Sequence, residues 1–140
     1  MAAPAPIVLD LAWDGDLRFS GRADSVALTL DADRVAGPTP VQALAFALAG
    51  CMAADVVSIL AKGRLPLEGL TTRLTGERRE EQPRYFTTIA LHFVVTGDVP
   101  ADRMERAVAL SREKYCTVWH SLRPDIALTT TFEIQPGRPG

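Results

Sequence analysis

Residues 38 to 60, PTPVQALAFALAGCMAADVVSIL, constrain this chain more than any other stretch. Nearly every position is apolar, and the run reads as one long helix that is hydrophobic almost all round. Its start carries explicit chemistry. Thr39 suits the N-cap, Pro40 suits the first helical position, and Gln42 follows three residues after the threonine, which makes a capping box. The helix is expected to run from Thr39 to Lys62, with Gly63 as its stop. A helix without a polar face must be covered on every side, and a 140-residue subunit holds little material to do so. An obligate homodimer is the expected solution.

The same length sets the domain count. A chain of 140 residues is one domain's worth of sequence, read here as a single domain over 1–140 with its core at about 8–134 and a flexible tail at 135–140. With 47% hydrophobic and 23% charged residues the composition is that of a globular protein, which sets aside disordered and fibrous classes. The formal net charge is −2, and the basic residues are scattered, so neither nucleic acid nor an anionic membrane is expected as a partner. The longest apolar run, Ala43 to Ala54, is shorter than a membrane span, and the N-terminal MAAPAPIVLDLAWDGD lacks the basic start of a leader. A cytoplasmic location is expected.

Around the helix the chain reads as strands. IVLDLAW and LRFSGR flank a DGD turn as a hairpin, and SVALTLDAD alternates Val26, Leu28 and Leu30 against Ala27, Thr29 and Asp31, the period of a half-exposed strand. TTRLTGERREEQ and RYFTTIALHFVVTG follow as two strands about a Gln82-Pro83 turn, and the charge run Glu77–Glu81 reads as a solvated strand end. Residues 99–122 read as one helix ended by Pro124, and DIALTTTFEI as a last strand. Runs of strands separated by helices, without strict alternation, indicate α+β architecture with antiparallel sheets.

The residues that could carry chemistry are few. Cys116 and His120 are four apart, but no C-x-x-C is present and any other zinc ligand would have to come from a remote position, so no metal is expected. His92 reads as a strand residue with a satisfied ring. No serine elbow or phosphate loop appears, which leaves cysteine chemistry at Cys51 and Cys116. In a reducing compartment such a pair is either two unrelated core cysteines or a redox couple. An unassisted thiol is only a few per cent ionised at neutral pH. Asp55, one turn after Cys51, disfavours a thiolate further. A reactive Cys51 therefore requires a cation from elsewhere; Arg18, Arg22 and Arg34 are the N-terminal candidates, and spacing does not choose among them. Cys116 has Lys114 two residues before it and nothing local that activates it strongly.

GPTPVQALAFALAGCMAADVVSIL (37–60) and LSREKYCTVWHSL (110–122) closely resemble the two cysteine motifs of the OsmC/Ohr family, in its branch with EKYC at the second cysteine. The resemblance covers roughly residues 8 to 134. It implies the OsmC-like fold, with antiparallel sheets wrapped around long central helices in an intertwined homodimer. It also implies thiol-dependent reduction of organic hydroperoxides, in which Cys51 attacks the peroxide and becomes a sulfenic acid. Cys116 then condenses with it to a disulfide, and an external dithiol resets the enzyme without metal, haem or flavin. The activating arginine of the family matches Arg18. The family's orienting glutamate, ten residues before the first cysteine, is Val41 here, and the proline after the second cysteine is Thr117. Two other functions fit the same scaffold: a noncatalytic dimer binding a small hydrophobic ligand in its cleft, and sulfur or acyl transfer through Cys51.

Overall fold

The computed structural model describes residues 2–138, so residues 139 and 140 of the expected tail lie outside the described residues. The chain is α+β. In order it forms β1 (Asp10–Trp13), β2 (Arg18–Ala23), β3 (Val26–Asp31), α1 (Pro40–Lys62), β4 (Gly69–Arg78) and β5 (Phe86–Thr96). Then follow α2 (Ala101–Leu110), a π-helical turn (Ser111–Tyr115), α3 (Thr117–His120) and β6 (Ala127–Gln135). The strands make two three-stranded sheets, β1-β2-β3 and β4-β5-β6. The chain divides into two compact units, the first ending at Leu44 and the second starting at Ala45.

The first unit is an antiparallel meander. Asp10 lies opposite Arg22 and Trp13 opposite Phe19, and Arg18 pairs in register with Asp31. The DGD turn works because Gly15 (φ 105) and Asp16 (φ 46) take left-handed backbone conformations that glycine adopts freely and aspartate tolerates. Trp13 Nε1 closes the turn by donating to the Asp16 carbonyl at 2.8 Å. The β3 alternation predicts its apolar set inside and Asp31 outside, and the structure reverses this at both ends. Val26 and Leu28 are exposed, whereas Asp31 is buried. The reason is local: the Asp31 carboxylate accepts the backbone N–H groups of Asp33 (2.9 Å), Val35 (3.3 Å) and Ala36 (3.0 Å), and so folds the loop after β3 around itself. The capping box forms as expected. Gln42 N donates to Thr39 Oγ1 and Thr39 N to Gln42 Oε1, both at 3.0 Å.

In the second unit α1 seats one stripe in the core. Leu48, Met52, Val56 and Leu60, spaced by four, are buried together with Ile89, Leu91, Phe93 and Val95 of β5, which alternate by two. Met104 and Ala107 of α2 and Leu128 of β6 complete the layer. By length and composition α1 could cross a membrane. It presents other apolar side chains outward within the single chain, including Phe46 (70% exposed) and Val57. The helix ends as expected at Lys62, but the left-handed residue is Arg64 (φ 56), not Gly63. Leu65 N bonds to Leu60 O and Arg64 N to Ala61 O, a Schellman closure built one residue after the glycine.

The chain departs from the sequence expectation at two places. The sheets are not wholly antiparallel: β4 and β5 are, but β5 and β6 run parallel, with Ile89 beside Leu128 and Phe93 beside Phe132. The helical segment between them makes the crossover that a parallel pair requires. Nor is 99–122 one helix. The ladder widens at Ser111, breaks at Cys116 (φ −75, ψ 95) and restarts as α3. Beyond β4, the Arg79 guanidinium donates to the carbonyls of Glu81, Gln82 and Pro83 and stacks with Tyr85, 4.6 Å from its ring centre. Most of the Glu77–Glu81 run is nonetheless solvated, as read from the sequence.

Candidate active site

Cys51 lies on α1 immediately before the buried Met52 and is half-buried. Cys116 is fully buried and comes from the break in the second helical segment. Its N–H bonds to Ser111 O at 2.8 Å, five residues back, which is what defines the wide turn. Its Sγ accepts the Trp119 N–H at 3.3 Å, so the cysteine is itself the N-cap of α3. An uninterrupted helix would hold residue 116 in the helical ladder; the break instead sets its sulfur against α1.

The outcome is a cluster. Cys51 Sγ, a carboxylate oxygen of Asp55 and Cys116 Sγ all lie within 4.8 Å of one another. Both thiols are free. Burial is the main cause that pushes the Cys116 thiol up, to about 11; the Trp119 N–H works against it, and the neighbouring Cys51 thiol and Asp55 carboxylate add to it. Cys116 is therefore a neutral thiol at neutral pH. Asp55, left unassigned by the sequence, accepts a hydrogen bond from the Ser111 hydroxyl at 2.8 Å. Ser111 is fully buried and joins both sides of the cluster, with its side chain on Asp55 and its carbonyl on the Cys116 N–H. Sequence reasoning missed it, because a serine at the end of a helical pattern carries no signal of its own.

Two sulfurs and a carboxylate make only three donors, one short of a structural zinc set, and no fourth ligand joins them among the described residues. His120 is not part of it: its Nε2 donates to the Arg112 carbonyl at 2.9 Å. His92 has the satisfied ring expected of it, with Thr131 Oγ1 at 2.7 Å from Nδ1 and Glu133 Oε1 at 3.2 Å from Nε2.

Arg18 belongs to the first unit, at the start of β2. Its Nε lies 3.9 Å from Asp31 Oδ2 and is shielded from solvent without a hydrogen-bond acceptor among the described residues. A second carboxylate, Asp16, is 4.0 Å from its Nη2. Asp31 thus stands next to the guanidinium although position 41 supplies no carboxylate. Bonds from the Ala36 and Asp33 N–H groups are the largest causes that hold the Asp31 carboxyl below its ordinary value, with Val35 and Arg18 adding to them against the opposing effect of burial.

In the second unit an α+β arrangement brings two thiols from separate helical segments into one cluster, the mark of a small cysteine protein. Residues 31–131 match the OsmC-like protein family, and the chain belongs to that family. It is 48% identical over 98 residues to protein YhfA of Escherichia coli K12, covering 69% of this chain and 73% of that one. A hypothetical protein from Aquifex aeolicus VF5 superimposes with a TM-score of 0.89 at 27% identity, covering 96% of this chain and all of the other. An organic hydroperoxide resistance protein OsmC from Legionella pneumophila shares the fold, with a TM-score of 0.70, at 17% identity over 94% of this chain and 99% of its own.

Proposed function

We infer that this protein is a thiol-dependent peroxidase that reduces organic hydroperoxides. The single observation that carries this reading is the approach of Cys51 and Cys116 sulfurs to within 4.8 Å in one chain, with no bond between them. A disulfide requires the two sulfurs to close to about 2.05 Å. In this reading the Cys51 thiolate attacks the terminal peroxide oxygen, the O–O bond breaks, and the alkoxide takes a proton from solvent and leaves as the alcohol. Cys51 is then a sulfenic acid. Cys116 condenses with it, water departs, and a dithiol returns both sulfurs to thiols.

The environments of the two sulfurs support this division of labour. The half-exposed Cys51 is the one that an incoming peroxide can meet, whereas Cys116 is buried and neutral, which suits a resolving thiol. Family membership and the hydroperoxide resistance named for the Legionella relative point the same way. Arg18 is assigned the role of cation for the Cys51 thiolate on the family resemblance. Asp31 at 3.9 Å is then the carboxylate that bears on its position, in place of the glutamate absent at Val41. The working unit is a homodimer, because the apolar faces of α1 left open in one chain need a cover.

The test is a thiol titration. Cumene or t-butyl hydroperoxide should remove two free thiols per chain and yield an intrachain disulfide. Cys116→Ser should instead leave a Cys51 sulfenic acid that dimedone traps. Two thiols that stay free after excess hydroperoxide would sink this reading and favour a binding or transfer function on the same scaffold.

A further inference from the structure

Cys116 is fully buried, so when its thiol attacks, its proton must pass to a neighbouring group. The cluster contains a single group suited to receive it. Asp55 places a carboxylate oxygen within 4.8 Å of both sulfurs, a distance one water spans. The same carboxylate is held by the 2.8 Å bond from the Ser111 hydroxyl, and Ser111 is fully buried, so the acceptor is fixed and not a mobile surface acid. Ser111 also accepts the Cys116 N–H through its carbonyl. One serine therefore sets both the thiol that gives up the proton and the carboxylate that stands near it.

We propose that Asp55 is the proton acceptor for Cys116 during disulfide formation, with Ser111 as its positioning residue. The step rests on the peroxidase reading only for the origin of the sulfenic acid. Cys116 sulfur attacks Cys51 sulfur, its proton passes to Asp55, and the S–O bond of the sulfenic acid breaks. The departing hydroxide takes that proton from Asp55 and leaves as water. The bond formed is S–S, and Asp55 ends as it began. The same transfer operates on any mixed disulfide at Cys51, where the leaving group is a thiolate and the proton goes on to solvent.

This generality supplies a test that needs no hydroperoxide. Reduced protein is mixed with 5,5′-dithiobis(2-nitrobenzoate), and release of thionitrobenzoate is followed by absorbance. Cys51 attack gives a first release and leaves a mixed disulfide; Cys116 attack on it gives the second. In Asp55→Asn the first release should be no slower than in the wild type, and the second should slow by about 100-fold, the scale of a lost general base. Asp55→Glu should recover part of it. Ser111→Ala, which keeps the charge but frees the carboxylate, should fall between. A carboxylate acting only by repelling a thiolate gives the opposite sign, since its removal would speed the second release. A second release in Asp55→Asn at the wild-type rate or faster overturns the proposal. Because no peroxide is involved, that outcome is separate from any failure of hydroperoxide to oxidise Cys51.

Discussion

The Ser111 hydroxyl donates to Asp55 Oδ2 at 2.8 Å, a bond that joins two helical segments 56 positions apart in sequence. A hydrogen bond to a charged group contributes about 1.5–3 kcal/mol. Ser111→Ala should therefore lower stability by about 2 kcal/mol, read as a lower urea midpoint at unchanged slope. A loss below about 0.5 kcal/mol would mean that the bond is not maintained in solution.

Cys116 gives the alkaline limb of stability a defined origin. Its thiol rises from 9.0 to about 11 on folding, chiefly through burial. The folded chain holds this proton where the unfolded chain releases it, so stability is intact below pH 9.0 and falls as pH climbs toward about 11. Urea midpoints measured at pH 8 and again near the folded value should differ in the wild type, and less so in Cys116→Ser. An identical slope in both proteins would assign the alkaline loss elsewhere.

Asp31 acts at the other end of the scale. Its carboxyl is held below the ordinary 3.8, mainly by the Ala36 and Asp33 N–H groups. Its stabilisation is complete above that value and is lost as pH falls through the depressed folded value. Asp31→Asn should flatten the acid limb of the unfolding profile and loosen the 32–36 loop, with faster amide exchange there. Unchanged exchange at Val35 and Ala36 would contradict the bonding described.

Arg64 carries a left-handed backbone (φ 56) that costs most side chains energy. Arg64→Gly should raise stability by up to about 1 kcal/mol, seen as a small increase in melting temperature. A decrease would show that the arginine side chain contributes more than its backbone strain.

Assembly is tested by mass. Sedimentation equilibrium at micromolar concentration should give one species of twice the 15.1 kDa chain. A stable monomer would contradict the homodimer and would leave Phe46 in water.

The sequence made α1 legible because three independent signals agree: the capping box at Thr39 and Gln42, the apolar run, and the stop near Gly63. The two thiols were legible as well, since few other residues could carry chemistry. Their meeting was not, because it depends on a wide helical turn and a break at Cys116 that no proline or glycine announces. Asp31 shows the opposite failure. Strand alternation assigned it to solvent, yet three loop N–H groups and a facing arginine bury it, a tertiary arrangement that outweighs the period of two. The parallel β6 likewise follows from how the chain crosses over, which the residues of DIALTTTFEI do not encode.

The cap on α3 has a practical side. Trp119 gives its backbone N–H to the sulfur of Cys116, and the chain's other tryptophan, Trp13, sits in the meander of the first unit. Any chemistry that converts that sulfur from thiol to disulfide alters the group to which a natural fluorophore is tethered. In a Trp13→Phe background the emission that remains comes from this one indole. Under the proposed redox cycle that emission is expected to change as the pair oxidises, and emission unaltered by excess hydroperoxide would mean that the indole does not sense the sulfur.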